Sequence, residues 1–197
     1  SSSSRADLHH YDFSSQYEWD RFYQQIDNID SSYQNKTKHC NNNITTSENY
    51  FYEWHTSVPN QRIIDQIPSA ATSVVMVGCG TSRLPEQLCL DRQQGGITSF
   101  KVTCLDYSKV CIDTMQHYYQ YYFFNHDNNI TINPKLVYVQ GDATQLVKAL
   151  AEKECTTGNV DVILDKGLLD ALLCGEGWDT DVERLLTGAS ELLTTDG

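Results

Sequence analysis

Val74-Val75-Met76-Val77-Gly78-Cys79-Gly80-Thr81-Ser82 is the stretch whose reading decides the fold of this chain. Four apolar residues, mostly β-branched, suit a strand buried on both faces. They run straight into a Gly-x-Gly turn. The glycines permit a tight reversal and let a ligand approach bare backbone, and a hydroxyl residue stands ready to cap the helix that follows. The unpaired amides of that helix's first turn are expected to face the ligand. A doubly wound α/β domain holds a nucleotide-like group in this way.

Downstream the chain alternates. A helix is expected around Ser82–Leu90, then a polar turn at Gln93–Gly96. Strand Lys101–Leu105 leads to a helix from Ser108 to about Phe124, and strand Leu136–Val139, after Pro134, to a helix over Gln145–Lys153. Strand Val160–Leu164 precedes an apolar segment and a last helix, Asp181–Leu193. Strands alternating with helices imply parallel βαβ units, and so an α/β, doubly wound, mostly parallel sheet. A further strand is expected where the chain stops in Thr195-Asp196-Gly197, so the C-terminal strands read as missing.

Upstream, Trp19, Phe22, Tyr23 and Ile26 fall at helical spacing between Tyr17 and Ile29. A second aromatic cluster, Tyr50-Phe51-Tyr52-Glu53-Trp54, precedes a helix expected from Pro59 to Ile67 and ended by Pro68. Residues 1–16 read as a disordered lead and 17–197 as one domain, incomplete at its C-terminus. Within it, 28–49 form a polar low-complexity insert that need not pack.

A chain of 197 residues suits a single domain with a substantial core. Its 14 basic against 26 acidic side chains give a net charge of −12, which weighs against a nucleic-acid partner. The charge is compatible with a basic partner such as a lysine-bearing protein; a role in solubility accounts for it equally well. Seven cysteines without a Cys-x-x-Cys pair point to a reducing, cytoplasmic setting and to no metal site. His117 and His126 lack metal-ligand spacing. The Asn-x-Ser/Thr sequons at Asn35, Asn43 and Asn129 read as chance in so Asn-rich a chain. No apolar run is long enough to span a membrane, and the Ser-rich start lacks a signal-peptide core.

In a doubly wound fold the residues just after each strand select the ligand. Asp106 follows the second strand, with Tyr107 and Ser108 behind it. Its carboxylate can accept both ribose hydroxyls; it can equally serve as a helix cap, and the two roles can coexist. The dinucleotide fingerprint requires a third glycine where this chain has Arg83, so no pyrophosphate cradle is evident. After the third strand come Gly141-Asp142-Ala143. Asp142 can accept from the exocyclic amine of adenine, and the Ala143 amide can bond a ring nitrogen. Two acids at successive strand ends suit a cationic, phosphate-free nucleoside and would repel a pyrophosphate. S-adenosylmethionine fits better than NAD.

Val74–Gly80, Leu105–Ser108, Gly141–Ala143 and Asp161–Asp165 together resemble the class I, Rossmann-like S-adenosylmethionine-dependent methyltransferases. Asp165-Lys166-Gly167-Leu168-Leu169-Asp170-Ala171-Leu172 is similar to the acid-Lys-Gly-x-x-Asp-Ala-Leu signature of the methyltransferase-like protein lysine methyltransferases. Tyr17-Glu18-Trp19-Asp20-Arg21-Phe22-Tyr23 and Tyr52-Glu53-Trp54 resemble two upstream elements of the type that acts on elongation factor 1A. The resemblance implies a methyltransferase domain over 17–197, S-adenosyl-L-methionine as cofactor, and a protein substrate with an accessible lysine, elongation factor 1A or one like it. It places the cofactor contacts at Trp19, Tyr23, Trp54, Gly78, Asp106, Tyr107, Asp142, Ala143 and Lys166; Cys79 and Gly80 join them through the turn. The chain departs from the pattern at Glu18 and in the polar insert.

Trp19, Tyr23 and Trp54 read equally as core aromatics or as a lid whose faces attract a sulfonium. Lys166 reads as a surface lysine or as a group that stacks near the methionyl moiety. Asp165 is the candidate catalytic residue, positioned to orient the methyl-accepting amine, and Asp170 is an alternative partner or a turn cap. No Asn-Pro-Pro-Tyr element follows the fourth strand, which disfavours base or glutamine methylation of that type. The Tyr118–Phe124 run reads as a helix face packed on the sheet. A small-molecule methyltransferase, an NAD-dependent oxidoreductase and a non-catalytic cofactor-binding domain are the alternatives.

Overall fold

A strand with four consecutive apolar residues needs cover on both faces, and β1 (Ser73–Val77) has it, since Val74 to Val77 are all buried. The computed structural model describes residues 15–25, 51–97, 99–125, 135–151 and 158–194, with 121–125 as backbone only. Most of the expected lead, the polar insert, the three sequons, His126 and the Thr195-Asp196-Gly197 turn lie outside the described residues. Helix α1 covers 16–25, so it begins within the expected lead.

The described strands form one four-stranded sheet in the order β3-β2-β1-β4, parallel at every pairing. The others are β2 (Lys101–Asp106), β3 (Lys135–Gln140) and β4 (Val162–Asp165). Their register sets Val77 opposite both Leu105 and Asp165, and Asp106 opposite Gln140, so the carboxyl ends fall in line. After β3 the chain crosses to the other side of β1. That reversal of strand order between β1 and β4 is where such folds open a crevice.

Alternation of side chains across β1 builds two cores. Val74 and Met76 face one that contains α3 (Leu84–Gln94), α4 (Lys109–Asn125) and the aromatic residues of α1. Val75 and Val77 face a second, filled from α5 (Leu146–Leu150) and α7 (Trp178–Leu192). Tyr119 packs on the first core and Tyr118 meets Phe51 edge-on at 4.6 Å, as expected of a helix face.

Boundaries moved where caps and bridges intervene. Helix α2 is confined to Asn60–Ile64. Helix α3 starts at Leu84, because the Ser82 hydroxyl accepts from the Leu84 amide at 3.1 Å and Pro85 fits the first turn. It runs through the expected turn to Gln94. A 3₁₀ turn, Ala143–Gln145, capped by Asp142, precedes the short α5. Strand β4 begins at Val162 instead of Val160, whose backbone is taken by a parallel bridge to Leu193. The apolar segment forms an additional helix, α6 (Leu168–Leu173), and α7 begins at Trp178 after a left-handed Gly177.

Leu146 is 1% exposed, and a Cβ on Gly188 of α7 would lie 3.1 Å from its own Cβ. Leu146→Ala should therefore cost about 2–5 kcal/mol, read as a lower denaturant midpoint at unchanged m-value.

Candidate functional site

A cavity of about 610 Å³ opens over the carboxyl ends of the strands. Trp19, Gly78, Asp106, Tyr107, Asp142 and Ala143 all line it. A smaller recess of about 40 Å³ shares Gly78 and Asp106 with it and adds Tyr23, Trp54, Lys166 and Gly167. Residues far apart in sequence are thus brought to one place.

Both glycines of the turn after β1 have the positive φ that the reading requires, but of the two only Gly78 lines the cavities. Gly78 has φ 59°, and a Cβ there would lie 2.7 Å from Leu168 Cβ, so only glycine lets α6 pack against the turn. Gly80 has φ 53°, and a Cβ on it would meet the Tyr23 hydroxyl at 2.9 Å. The expectation for the following amides is corrected. The Arg83 amide donates to Glu53 Oε1 at 2.9 Å and the Leu84 amide to Ser82 Oγ at 3.1 Å. Protein groups already occupy this helix end, which removes the anion site that a pyrophosphate would need.

Asp106 is 7% exposed and accepts the amides of Gly80 (2.8 Å) and Ser108 (2.9 Å). The Ser108 hydroxyl in turn accepts the Cys111 amide at 3.1 Å, capping α4, and donates to Asp20 of α1 at 2.5 Å. Burial first, and then the neighbouring Cys79 sulfur, push the Asp106 carboxyl up to about 7, against the two amides that favour its charged form. Among the described residues no Lys or Arg pairs with it. Asp142 likewise accepts only from Thr144 and Gln145.

Cys79 lines neither cavity: its amide donates to Leu105 O at 3.0 Å, and its side chain is 2% exposed and packs in the core behind the turn. There its sulfur, the Cys111 sulfur and an Asp106 oxygen lie within 4.8 Å of one another, a spacing compatible with a metal ion that no sequence pattern announced.

The aromatic residues serve as core and cover together. Phe22 and Tyr23 are buried, while Trp19 stacks on Tyr23 at 6.0 Å and still lines the cavity. Lys166 is not a surface lysine. Its Nζ bonds Glu53 Oε2 and, at 2.6 Å, Asn60 Oδ1, with 6% of the side chain exposed. Glu53, which was visible only as the middle of Tyr52-Glu53-Trp54, is therefore the hub that sequence reasoning missed. Burial pushes its carboxyl up, but hydrogen bonds from Lys166, Asn60, Arg83 and Ser82 outweigh it and hold the pKa below the ordinary value.

Asp165 stands apart from the other expected residues. It is exposed at the end of β4, and its carboxylate accepts the amides of Gly167 (2.8 Å), Leu168 (2.9 Å) and Leu169 (2.9 Å). Its visible work is to seat α6. Asp170, one turn on, meets His55 Nε2 at 2.8 Å. His55 has φ 55°, a left-handed conformation that costs an ordinary residue about 1–2 kcal/mol. Nothing in the sequence marks such a residue.

A parallel sheet with a switch point at β1, a glycine turn there and acids at the ends of β2 and β3 settles the architecture. This is a doubly wound, Rossmann-like α/β sheet. No family model matches the chain. In sequence it is 30% identical over 155 residues to EEF1A lysine methyltransferase 4 of Mus musculus, covering 74% of this chain and 51% of that protein. It is 28% identical over 149 residues to the eEF1A lysine and N-terminal methyltransferase of Bos taurus, covering 74% of this chain and 18% of that protein. The Homo sapiens protein of that name is 27% identical over the same shares. The chain therefore spans about half the length of the mouse relative, 51%, and less of the other two. Among solved structures, the arsenic(III) S-adenosylmethionine methyltransferase of Chlamydomonas reinhardtii gives a TM-score of 0.47 at 14% identity, over 71% of this chain and 46% of that one. No helix among the described residues is long and apolar enough to cross a membrane.

Lys166→Met would leave Glu53 without its cation. It should lower the unfolding free energy by about 2 kcal/mol, less than for a fully buried pair because Glu53 keeps 24% of its side-chain surface. The Glu53 pKa is depressed in the fold, so its contribution is present at neutral pH and is lost as pH falls through that pKa. The deficit of the variant should accordingly shrink in acid, as denaturation at two pH values would measure.

Proposed function

We propose that this chain binds S-adenosyl-L-methionine at the strand ends and transfers its methyl group to a lysine ε-amine of a protein, eEF1A or one like it. The observation that supports this most is the pairing of Asp106 and Asp142 in one cavity with bare Gly78 and, among the described residues, with no cation bound to either acid. A buried carboxylate without a basic partner is satisfied by a ligand that donates hydrogen bonds or carries positive charge. The cofactor does both and lacks the phosphates that two acids would repel.

In this reading Asp106 accepts the ribose hydroxyls, Asp142 the adenine amine, and the Ala143 amide bonds a ring nitrogen. Gly78 admits the methionyl part, and the Trp19 face attracts the sulfonium. When bound, the cofactor supplies an electrophilic methyl on a positively charged sulfur. The chain supplies alignment, which carries most of the acceleration of an in-line displacement. Lys166 and Glu53 hold the recess wall, and Asp165 holds α6 beside it. The lysine acceptor is supported by the similarity to the eEF1A methyltransferases and by the Asp165–Leu172 signature. A net charge of −12 suits a basic partner.

Calorimetric titration should show binding of S-adenosylhomocysteine and none of NAD; the reverse would overturn the cofactor reading. Asp106→Ala should abolish most of that binding. Because the Asp106 pKa is raised to about 7 and the ribose needs the carboxylate, affinity should fall about tenfold from pH 8 to pH 6. Asp106→Asn should bind weakly with no such dependence. For the acceptor, labelled donor should mark purified eEF1A on lysine, and label confined to small metabolites would reject the protein substrate.

A further inference from the structure

A lysine acceptor arrives as an ammonium ion and must lose a proton before it can attack. Asp165 is poorly placed to take it, since three backbone amides already hold its carboxylate. His55 lines neither cavity but stands beside Gly167, which lines the smaller recess. It is the one non-glycine residue with positive φ among those described, and a Cβ on Gly167 would lie 3.5 Å from its Nε2. Gly167 lines the recess that continues from the main cavity past Gly78, beside Trp54 and Lys166. With adenine at Ala143 and ribose at Asp106, the donor's methionyl end falls toward this recess.

The imidazole is also oriented. Nε2 lies 2.8 Å from Asp170 Oδ2 as an ion-pair contact, and a neutral ring with its proton on that side keeps a lone pair on Nδ1. Among the described residues nothing bonds Nδ1. The two side chains are 47% and 67% exposed, within reach of a lysine borne by another protein. Asp170 is the charged group set against the ring; the chain neighbours Glu53, Lys166 and Asp165 have partners of their own.

Resting on the lysine-methylation reading above, we propose that His55, oriented by Asp170, is the general base that deprotonates the acceptor lysine. The ammonium passes one proton to Nδ1. The freed lone pair forms the N–C bond as the C–S bond of the donor breaks, and that electron pair stays on sulfur as a neutral thioether. The imidazolium, stabilised by the Asp170 carboxylate, then releases its proton to water. Imidazole is suited to this because it changes charge near neutrality.

The test compares wild type, His55→Asn and Asp170→Asn on purified eEF1A at saturating donor across a pH series, with S-adenosylhomocysteine titrated into each. Asn tolerates the left-handed backbone, so the first variant should keep the turn. His55→Asn should lose roughly 100-fold in kcat at neutral pH and lose the rise of rate with pH. Asp170→Asn should give a smaller loss in kcat, by withdrawing the partner that orients the ring. Homocysteine-product affinity should stay at the wild-type value in both. Variants with wild-type kcat and pH profile would overturn the proposal. A wild type that binds the donor and leaves eEF1A unlabelled would instead remove the lysine-methylation reading, and this inference with it.

Discussion

The buried carboxylate of Asp106 holds the site together before any ligand arrives. One oxygen takes the Gly80 amide and the other the Ser108 amide, so a single side chain ties the turn after β1 to the end of β2 and the start of α4. Ser108 extends the link to Asp20, and with it α1 and its aromatic residues are drawn over the strand ends. The cost is a carboxyl held away from water with no basic partner, and its raised pKa records that cost. A carboxyl held near 7 changes charge around neutrality, unlike an ordinary surface acid.

A second polar centre braces the opposite wall. Glu53 receives hydrogen bonds from Asn60, Ser82, Arg83 and Lys166, four groups from three parts of the chain. It closes the N-terminus of α3 and pins the residue that follows β4. The two carboxylates divide the work: Asp106 is open to the cavity, whereas Glu53 is consumed by the framework. This division explains why the helix end beside a Gly-x-Gly turn offers no anion site.

Much of the site was legible because it lies at strand ends. Gly78, Asp106, Asp142 and Ala143 each follow an apolar run, and a parallel sheet brings such positions together whatever the helices do. Direction of side chains was not legible. Asp165 also ends a strand, but the residues after it turn into α6 and present three amides to its carboxylate. Lys166 and Glu53, 113 positions apart, meet only because of the fold, as do the buried thiols of Cys79 and Cys111 beside Asp106. The positive φ of His55 has no local cause in sequence.

Periodicity and the glycine turn by themselves determined the α/β class, the parallel sheet and which residues stand at the ends of β1, β2 and β3. They could do so because burial on both faces and positive φ restrict which residues are allowed. Tertiary structure alone decided which acids face the cavity, which are taken by caps, and that a histidine leans over Gly167. Those outcomes depend on which donors the fold brings within about 3 Å of each oxygen, and hydrogen bonds are too short-ranged to be read from positions along a chain.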